Sequence, residues 1–186
     1  PFGGEGLSGT GPKAGGPFYL KRFVAGHRAQ GQGDALGVAD DEELANRIVS
    51  ASAKQAESTS TTLPGPTGEL NRLSTTPRKP ILCLGPNANA IREQVAAVQQ
   101  LGGVAVGVDQ KLAPKAIADL PDFGGLIWWG DTEHGRDYAM ALADREGAII
   151  PLICGFPDQA HVLMERHLCV DTTAAGGNAS LLAAQS

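Results

Sequence analysis

From residue 81 onward, apolar residues come in short unbroken runs separated by stretches of helical spacing. The run ILCLG (81–85) is followed by Ile91, Val95, Val98 and Leu101 at intervals of three and four. That spacing predicts a helix over 88–101, which Gly102 and Gly103 stop, and VAVGV (104–108) is a second run. The alternation continues with a weakly helical 114–120, the run LIWW at 126–129, a helix over 135–145 and the run AIIPLIC at 148–154. Runs that lack in-and-out alternation predict strands buried on both faces. Such strands alternating with helices predict a parallel sheet with right-handed crossovers and helices on either side.

The first 80 residues lack this regularity. Residues 1–23 are glycine-rich and tighten into FYLKRFV, whose aromatic and branched residues predict a short strand. Residues 25–37 are polar, glycine-rich and aperiodic, which reads as a mobile connection. Residues 40–56 predict a short helix with acidic residues in its first turn and Leu44, Ile48, Val49 and Ala53 on one side. ESTSTTLPGP (57–66) reads as a surface linker, and 67–80 as an irregular approach anchored by Leu70 and Leu73. Past the sheet, Asp158 caps a helix carrying Ala160, Val162, Leu163 and Met164. Residues 168–173 favour a strand, and Gly176, Gly177 and Asn178 suit a turn or an extended arm, whose end, Leu181 and Leu182, is apolar for a free terminus and is expected to dock. The predicted fold class is α/β: a small doubly wound, Rossmann-like parallel sheet with an irregular N-terminal segment and a C-terminal strand or arm. The predicted divisions are 1–24, a linker with one short helix at 25–76, the Rossmann-like domain at 77–160, and a helix with docking arm at 161–186.

Composition narrows the function classes. A chain of 186 residues with 42% hydrophobic content can bury a real core, and its 25 glycines and 12 prolines argue for loops in the first third. The net charge of -5, without a dense Lys/Arg stretch, argues against nucleic-acid binding. No run of about 18 apolar residues or charged-then-apolar leader appears, so a cytoplasmic location is expected. Cys83, Cys154 and Cys169 have neither zinc-site spacing nor disulfide density and read as small buried hydrophobes. Only Cys169, two residues after His167, has a base nearby in sequence.

Candidate chemistry is sparse. The loop Leu84-Gly85-Pro86-Asn87-Ala88-Asn89 stands where a dinucleotide-binding fold places its phosphate loop, with Asp109 where a ribose-binding acid would end the second strand. The second and third glycines of that loop are replaced by Asn87 and Ala90, and Pro86 removes a backbone donor. No cofactor-binding residue is therefore assigned. His134, His161 and His167 with Asp131 and Glu133 lack metal-ligand spacing; Asp131 reads as a helix start and His161–Glu165 as a pair one turn apart. No metal ligand and no catalytic residue is assigned. Trp128 and Trp129 read as core and contact surface.

The most specific signal is the opening PFGGEGLSGTGPKAGGPFYLKRF (1–23). It resembles the closing glycine-rich loop of the aldehyde dehydrogenase superfamily, nearest its glutamate semialdehyde (pyrroline-5-carboxylate) dehydrogenase branch, through Glu5, Ser8, Thr10 and Lys13. The closing CVDTTAAGGNAS, with RKPILCLGP, IWWGD and PLI between, resembles the extra C-terminal domain of long-form PutA, the bifunctional flavoenzymes of proline catabolism. The resemblance implies that residues 1–24 end an aldehyde dehydrogenase domain and that the chain is a fragment. The flavin barrel, NAD-binding domain, catalytic cysteine and its activating glutamate would then lie before Pro1.

The implied parent oxidises proline to pyrroline-5-carboxylate with FAD and the hydrolysed semialdehyde to glutamate with NAD; no cofactor is implied for this chain itself. Gly6, Leu7, Ser8 and Gly9 match the loop that holds the substrate carboxylate through backbone N–H groups and a hydroxyl, with Ser8 supplying the hydroxyl; a purely structural loop is the rival reading. The domain behind it is implied to be noncatalytic, to cover the tunnel between the two active sites and to support the dehydrogenase. Asp171, Thr172, Thr173, Gly176, Gly177 and Asn178 would form an arm docking on the dehydrogenase domain, in the same chain or across a dimer. The implied parent meets the inner membrane face to reduce quinone. Two rivals stay open: an independent nucleotide-binding domain and a regulatory interaction domain.

Overall fold

The computed structural model describes residues 2–24, 37–53 and 57–171. The chain divides into two units, Pro1–Ala56 with Pro77–Met164, and Glu57–Thr76 with Glu165–Ser186.

The first unit is built on a parallel sheet of four strands, β3 (Ile81–Cys83), β4 (Ala105–Gly107), β5 (Gly125–Ile127) and β6 (Leu152–Ile153), in the order β4-β3-β5-β6. On β3, Leu82 lies opposite Val106 on one side and Leu126 on the other. Every residue of β3 and β5 is buried, as unbroken apolar runs require. Side chains alternate between two cores. Leu82, Val106 and Leu126 pack with Leu44 and Ile48 of helix α1 (Asp41–Ser52), with Ile117 of a 3-10 helix (Pro114–Asp119), and with Tyr138 and Leu142 of helix α3 (Thr132–Ala143). Ile81, Cys83 and Ile127 point the other way, to Ile91 and Val98 of helix α2 (Ala88–Gln100) and to Val162 of the single-turn helix α4 (Gln159–Val162). The fold is thus Rossmann-like α/β with a covered sheet, as the run-and-helix pattern predicts.

Helix starts follow the polar residues that precede them. Asp40 accepts from the Glu42 and Glu43 amides, Asn87 from Ala90, Asp131 from His134 and Asp158 from Ala160, each satisfying an orphan first-turn donor. In α1 the buried side is Leu44, Ile48 and Ala51, whereas Val49, expected inside, is 56% exposed. Residues 44, 48 and 51 stack one turn apart, and 49 falls off that stripe.

Several elements differ from the sequence reading. FYLKRFV is not a strand: Tyr19–Phe23 forms a 3-10 helix, with Tyr19 and Phe23 rings edge to face. The aromatic pair four residues apart meets only when the backbone is coiled. Helix α4 ends at Val162 rather than carrying Leu163 and Met164, and the chain continues directly into β7 (Leu163–Asp171). The predicted connection at 25–37 lies, except for Gly37, outside the described residues.

The second unit carries strands where a linker was expected. β1 (Thr59–Leu63) and β2 (Glu69–Pro77) pair antiparallel, and β2 also neighbours β7. The Ser/Thr composition of 57–66 that suggests solvent also supplies β-branched threonines, which favour extended backbone. Their hydroxyls pair across the strands: Thr59 Oγ1 is 2.6 Å from Thr75 Oγ1, and Ser74 Oγ donates to Ser60 Oγ at 3.3 Å.

One polar side chain is fully buried among the apolar ones of α2. Gln94 Oε1 accepts from Gly85 N at 3.1 Å, and its Nε2 donates to Gly85 O at 2.9 Å. Gln94→Leu keeps the volume and removes the partner of the Gly85 amide, an orphaned buried donor that costs about 1–3 kcal/mol. Urea unfolding of the variant is expected to show that loss at unchanged m-value, and an unchanged midpoint would exclude a structural role for this amide.

Candidate functional site

The opening glycine-rich segment folds back on itself. Phe2 and Ala14 exchange both backbone hydrogen bonds, at 2.8 and 2.7 Å, and Glu5 bridges Thr10. The tip is Gly6-Leu7-Ser8-Gly9, closed by Gly6 N donating to Gly9 O at 2.9 Å. Gly6 has φ +98°, a conformation that L side chains rarely adopt. Its carbonyl accepts from Ile149 N at 2.8 Å, so Gly6 is held at both its donor and its acceptor. Leu7 is 80% exposed and Ser8 is exposed beside it. The Ser8 hydroxyl lies across Gly4, where an added Cβ would stand 1.9 Å from Ser8 Oγ. Glycine at position 4 is what leaves the serine its room.

The hairpin is fastened from below by a buried ion pair. Arg78 Nη2 donates to Glu5 Oε1 at 2.7 Å, to Thr10 O at 2.8 Å and to Ala160 O at 3.2 Å. The side chains of Arg78 and Glu5 are 10% and 6% exposed. One guanidinium therefore holds both strands of the hairpin, just below the tip, to the segment that leads into β3. Gly11 fits the same joint: with φ +72°, its added Cβ would fall 2.0 Å from Glu5 Oε1. Beside the hairpin, a cleft of about 500 Å³ is lined by Thr10, Pro12, Phe18 and Lys21, by the flanks of β6, and by Asp158 and His161. Burial opposes ionisation of Asp158, but the hydrogen bond and charge of His161, the Ala160 amide and Lys21 together hold its carboxyl below the usual range.

The β3–α2 loop has a different kind of order. Gly85 N is engaged by Gln94, Gly85 O accepts from both Gln94 and Trp129 N, Pro86 has no N–H, and Asn87 is committed as the cap of α2. Asp109, just past β4, faces Arg47 of α1 at 3.9 Å. The Gly85 amide is therefore taken and Pro86 offers none, which removes two of the donors that a phosphate-binding turn would use here.

The three histidines among the described residues each lie beside a carboxylate. His134 Nδ1 sits 2.9 Å from Asp131 Oδ2, His161 Nδ1 accepts from Asp158 N at 3.1 Å, and His167 Nε2 lies 3.2 Å from the buried Glu165. The predicted His161–Glu165 pair is replaced by these local ones because α4 stops at Val162, and 165 lies on a strand. The His134 backbone N–H, then its ring, draw the Asp131 carboxyl below its ordinary range. Among the described residues no group of three or more His, Cys, Asp or Glu is placed to hold a metal ion. No helix among them is long and apolar enough to cross a membrane.

Of the cysteines, Cys83 is buried, and burial pushes its thiol up to about 12. Cys154 is half-buried, and Cys169 is exposed rather than buried, because it lies on an open face of β7. Its thiol donates to Glu69 Oε1 at 3.5 Å and is raised by local desolvation and then by that carboxylate. An activated thiolate needs the opposite environment. Trp129 is buried and donates to Gly155 O at 2.9 Å, and Trp128 packs edge-on against Tyr138.

The four loop residues Gly6, Leu7, Ser8 and Gly9 thus come together at one tip, with the Gly6 amide engaged inside the turn. Of the arm, Asp171 closes β7, while Thr172, Thr173, Gly176, Gly177 and Asn178 lie outside the described residues. Arg78 and Gln94 are not singled out by sequence pattern. A glutamine on the Ile91/Val98 stripe is a signal of a buried partner, whereas nothing local couples Glu5 to a residue 73 positions away.

No family model matches the chain. Over 98% of its length it is 34% identical to the bifunctional protein PutA of Salmonella typhimurium and 32% identical to that of Escherichia coli. It spans 18% of the length of these curated relatives. Among solved structures it is similar to a mutant of Bradyrhizobium japonicum proline utilization A (PutA), at 23% identity and a TM-score of 0.40, over 60% of this chain and 15% of that one. Along nearly its whole length, the chain matches one segment of the bifunctional PutA proteins.

Proposed function

We propose that this chain is a noncatalytic module of a bifunctional proline-catabolic enzyme, and that it lends one element, the hairpin tip, to the aldehyde dehydrogenase site. The parent enzyme would oxidise proline to pyrroline-5-carboxylate with FAD and the hydrolysed semialdehyde to glutamate with NAD, in the cytoplasm and at the inner membrane face where quinone is reduced. In this reading the flavin site, the NAD site and the nucleophilic cysteine belong to the portion of the enzyme outside this chain.

The observation that carries the proposal is the form of the tip. Gly6 is fixed by two backbone bonds, and the turn projects Leu7, Ser8 and Gly9 outward with the Ser8 hydroxyl laid across Gly4. Successive amides and a hydroxyl at such a turn form a concavity suited to a carboxylate, the group that glutamate semialdehyde carries and a simple aldehyde lacks. Gly6 sets the turn, and Leu7, Ser8 and Gly9 face the substrate.

The Rossmann-like domain supports that site and covers the tunnel through which the intermediate passes. Its engaged β3–α2 loop favours a scaffold over an independent nucleotide-binding domain. The arm beginning at Asp171 and running through Thr172, Thr173, Gly176, Gly177 and Asn178 docks on the dehydrogenase domain.

Three outcomes are expected. Ser8→Ala in the full-length enzyme raises KM for glutamate semialdehyde by about tenfold or more, the size of one lost hydrogen bond to a charged group, in steady-state NADH formation; an unchanged KM would sink the carboxylate reading. Deleting residues 168–186 lowers semialdehyde oxidation or coupled turnover while flavin-dependent proline oxidation persists, and unaltered coupled turnover would remove the supporting role. Titrating the isolated chain with millimolar NAD in a calorimeter gives no heat of binding, and saturable heat would favour the nucleotide-binding rival.

A further inference from the structure

The carboxylate-anchoring tip is built on a joint whose two halves lie far apart in sequence. Glu5 and Thr10, the bridged pair immediately below the tip, both meet Arg78 Nη2, which also reaches Ala160 O at the end of the cleft. Arg78 is itself fixed: its backbone N donates to Val162 O at 2.8 Å, and it lies three residues before β3, a central strand of the sheet. The second tie, Ile149 N to Gly6 O, comes from the segment entering β6. The tip is therefore positioned by the start of a central strand and the start of an edge strand of the same sheet.

We propose that Arg78 is a positioning residue for the substrate carboxylate, acting through Glu5 and the Thr10 carbonyl on the tip at Gly6–Gly9. The proposal rests on the reading of that tip as the carboxylate anchor. A guanidinium suits this role because its rigid plane fixes the directions in which Nη2 donates to Glu5 and Thr10, whereas an ammonium is a point charge on a flexible stem. The pair is desolvated, so its electrostatic hold is little screened by salt, and loss of either member leaves the other charge without its partner. A tip released by a fraction of an ångström keeps its donors but misaligns them, and hydrogen bonding to a carboxylate falls off steeply with angle. The joint also gives the noncatalytic domain a specific physical route to the dehydrogenase site: the sheet sets Arg78, Arg78 sets the hairpin, and the hairpin sets the amides.

The test compares two aldehydes on the full-length enzyme: glutamate semialdehyde, which carries the carboxylate, and pentanal, which does not. Arg78→Met is expected to raise KM for the semialdehyde about tenfold while kcat changes less than twofold, and to leave kcat/KM for pentanal near that of the unaltered enzyme. Arg78→Lys should recover part of the semialdehyde KM. A variant that merely loosens the fold would depress both aldehydes together, and that result would overturn the proposal, as would an unchanged semialdehyde KM. If Arg78→Met does not accumulate as folded enzyme, Glu5→Gln tests the same joint from its other side, because the amide retains the shape and loses the charge. Ser8→Ala separates the two levels of the argument. If Ser8→Ala leaves KM unaltered, the anchor reading fails; if Ser8→Ala raises KM and neither Arg78→Met nor Glu5→Gln does, the anchor stands and the positioning role falls.

Discussion

The double burial of β3 is the constraint on which the α/β unit depends. Ile81, Leu82 and Cys83 have strands on both sides and helices on both faces, so none of them can be polar and none can move without disturbing two cores. Leu82 looks toward α1, α3 and the 3-10 helix, and Ile81 and Cys83 look toward α2 and α4. A close-packed interior transmits such constraints because it has little free volume in which to absorb them. Arg78, three residues before the strand, inherits this fixity, as does Gly85, two residues after it.

Those flanking positions show how one strand serves opposite purposes at its two ends. At its entry, a charged side chain reaches outward and fastens a glycine hairpin 73 positions earlier in the chain. At its exit, a glutamine folds inward and engages the backbone groups that other α/β proteins leave open for phosphate. The first arrangement holds a separate segment to the sheet, and the second satisfies the Gly85 backbone groups from within the chain. In the hairpin, side chains at positions 4 and 11 would collide with Ser8 and Glu5.

Much of the α/β unit is legible in the sequence because its runs are extreme: ILC and LI are wholly apolar, and Asp131 and Asp158 announce the helices that follow. The threonine strand β1 is not legible in the same way. Its hydroxyls are equally at home in water and in a ladder, so composition cannot separate a linker from a strand, and only the partner Thr75 decides. Tyr19–Phe23 is misread for a related reason, since aromatic residues favour strands in general but here meet each other on a turn of helix. In the hairpin, the motif points to the tip residues, whereas the ion pair beneath it is a long-range contact that no local pattern encodes.

The Gln94–Gly85 clamp has a thermodynamic consequence. A protein that binds a ligand only in its folded state gains stability with the logarithm of ligand concentration, so a nucleotide-binding domain is firmer in a cell rich in nucleotide than in one that is depleted. Here the complement of the loop is covalently part of the chain, at a fixed effective concentration and always present. Such a loop has its Gly85 groups satisfied at the moment of folding, without drawing on a ligand from solution.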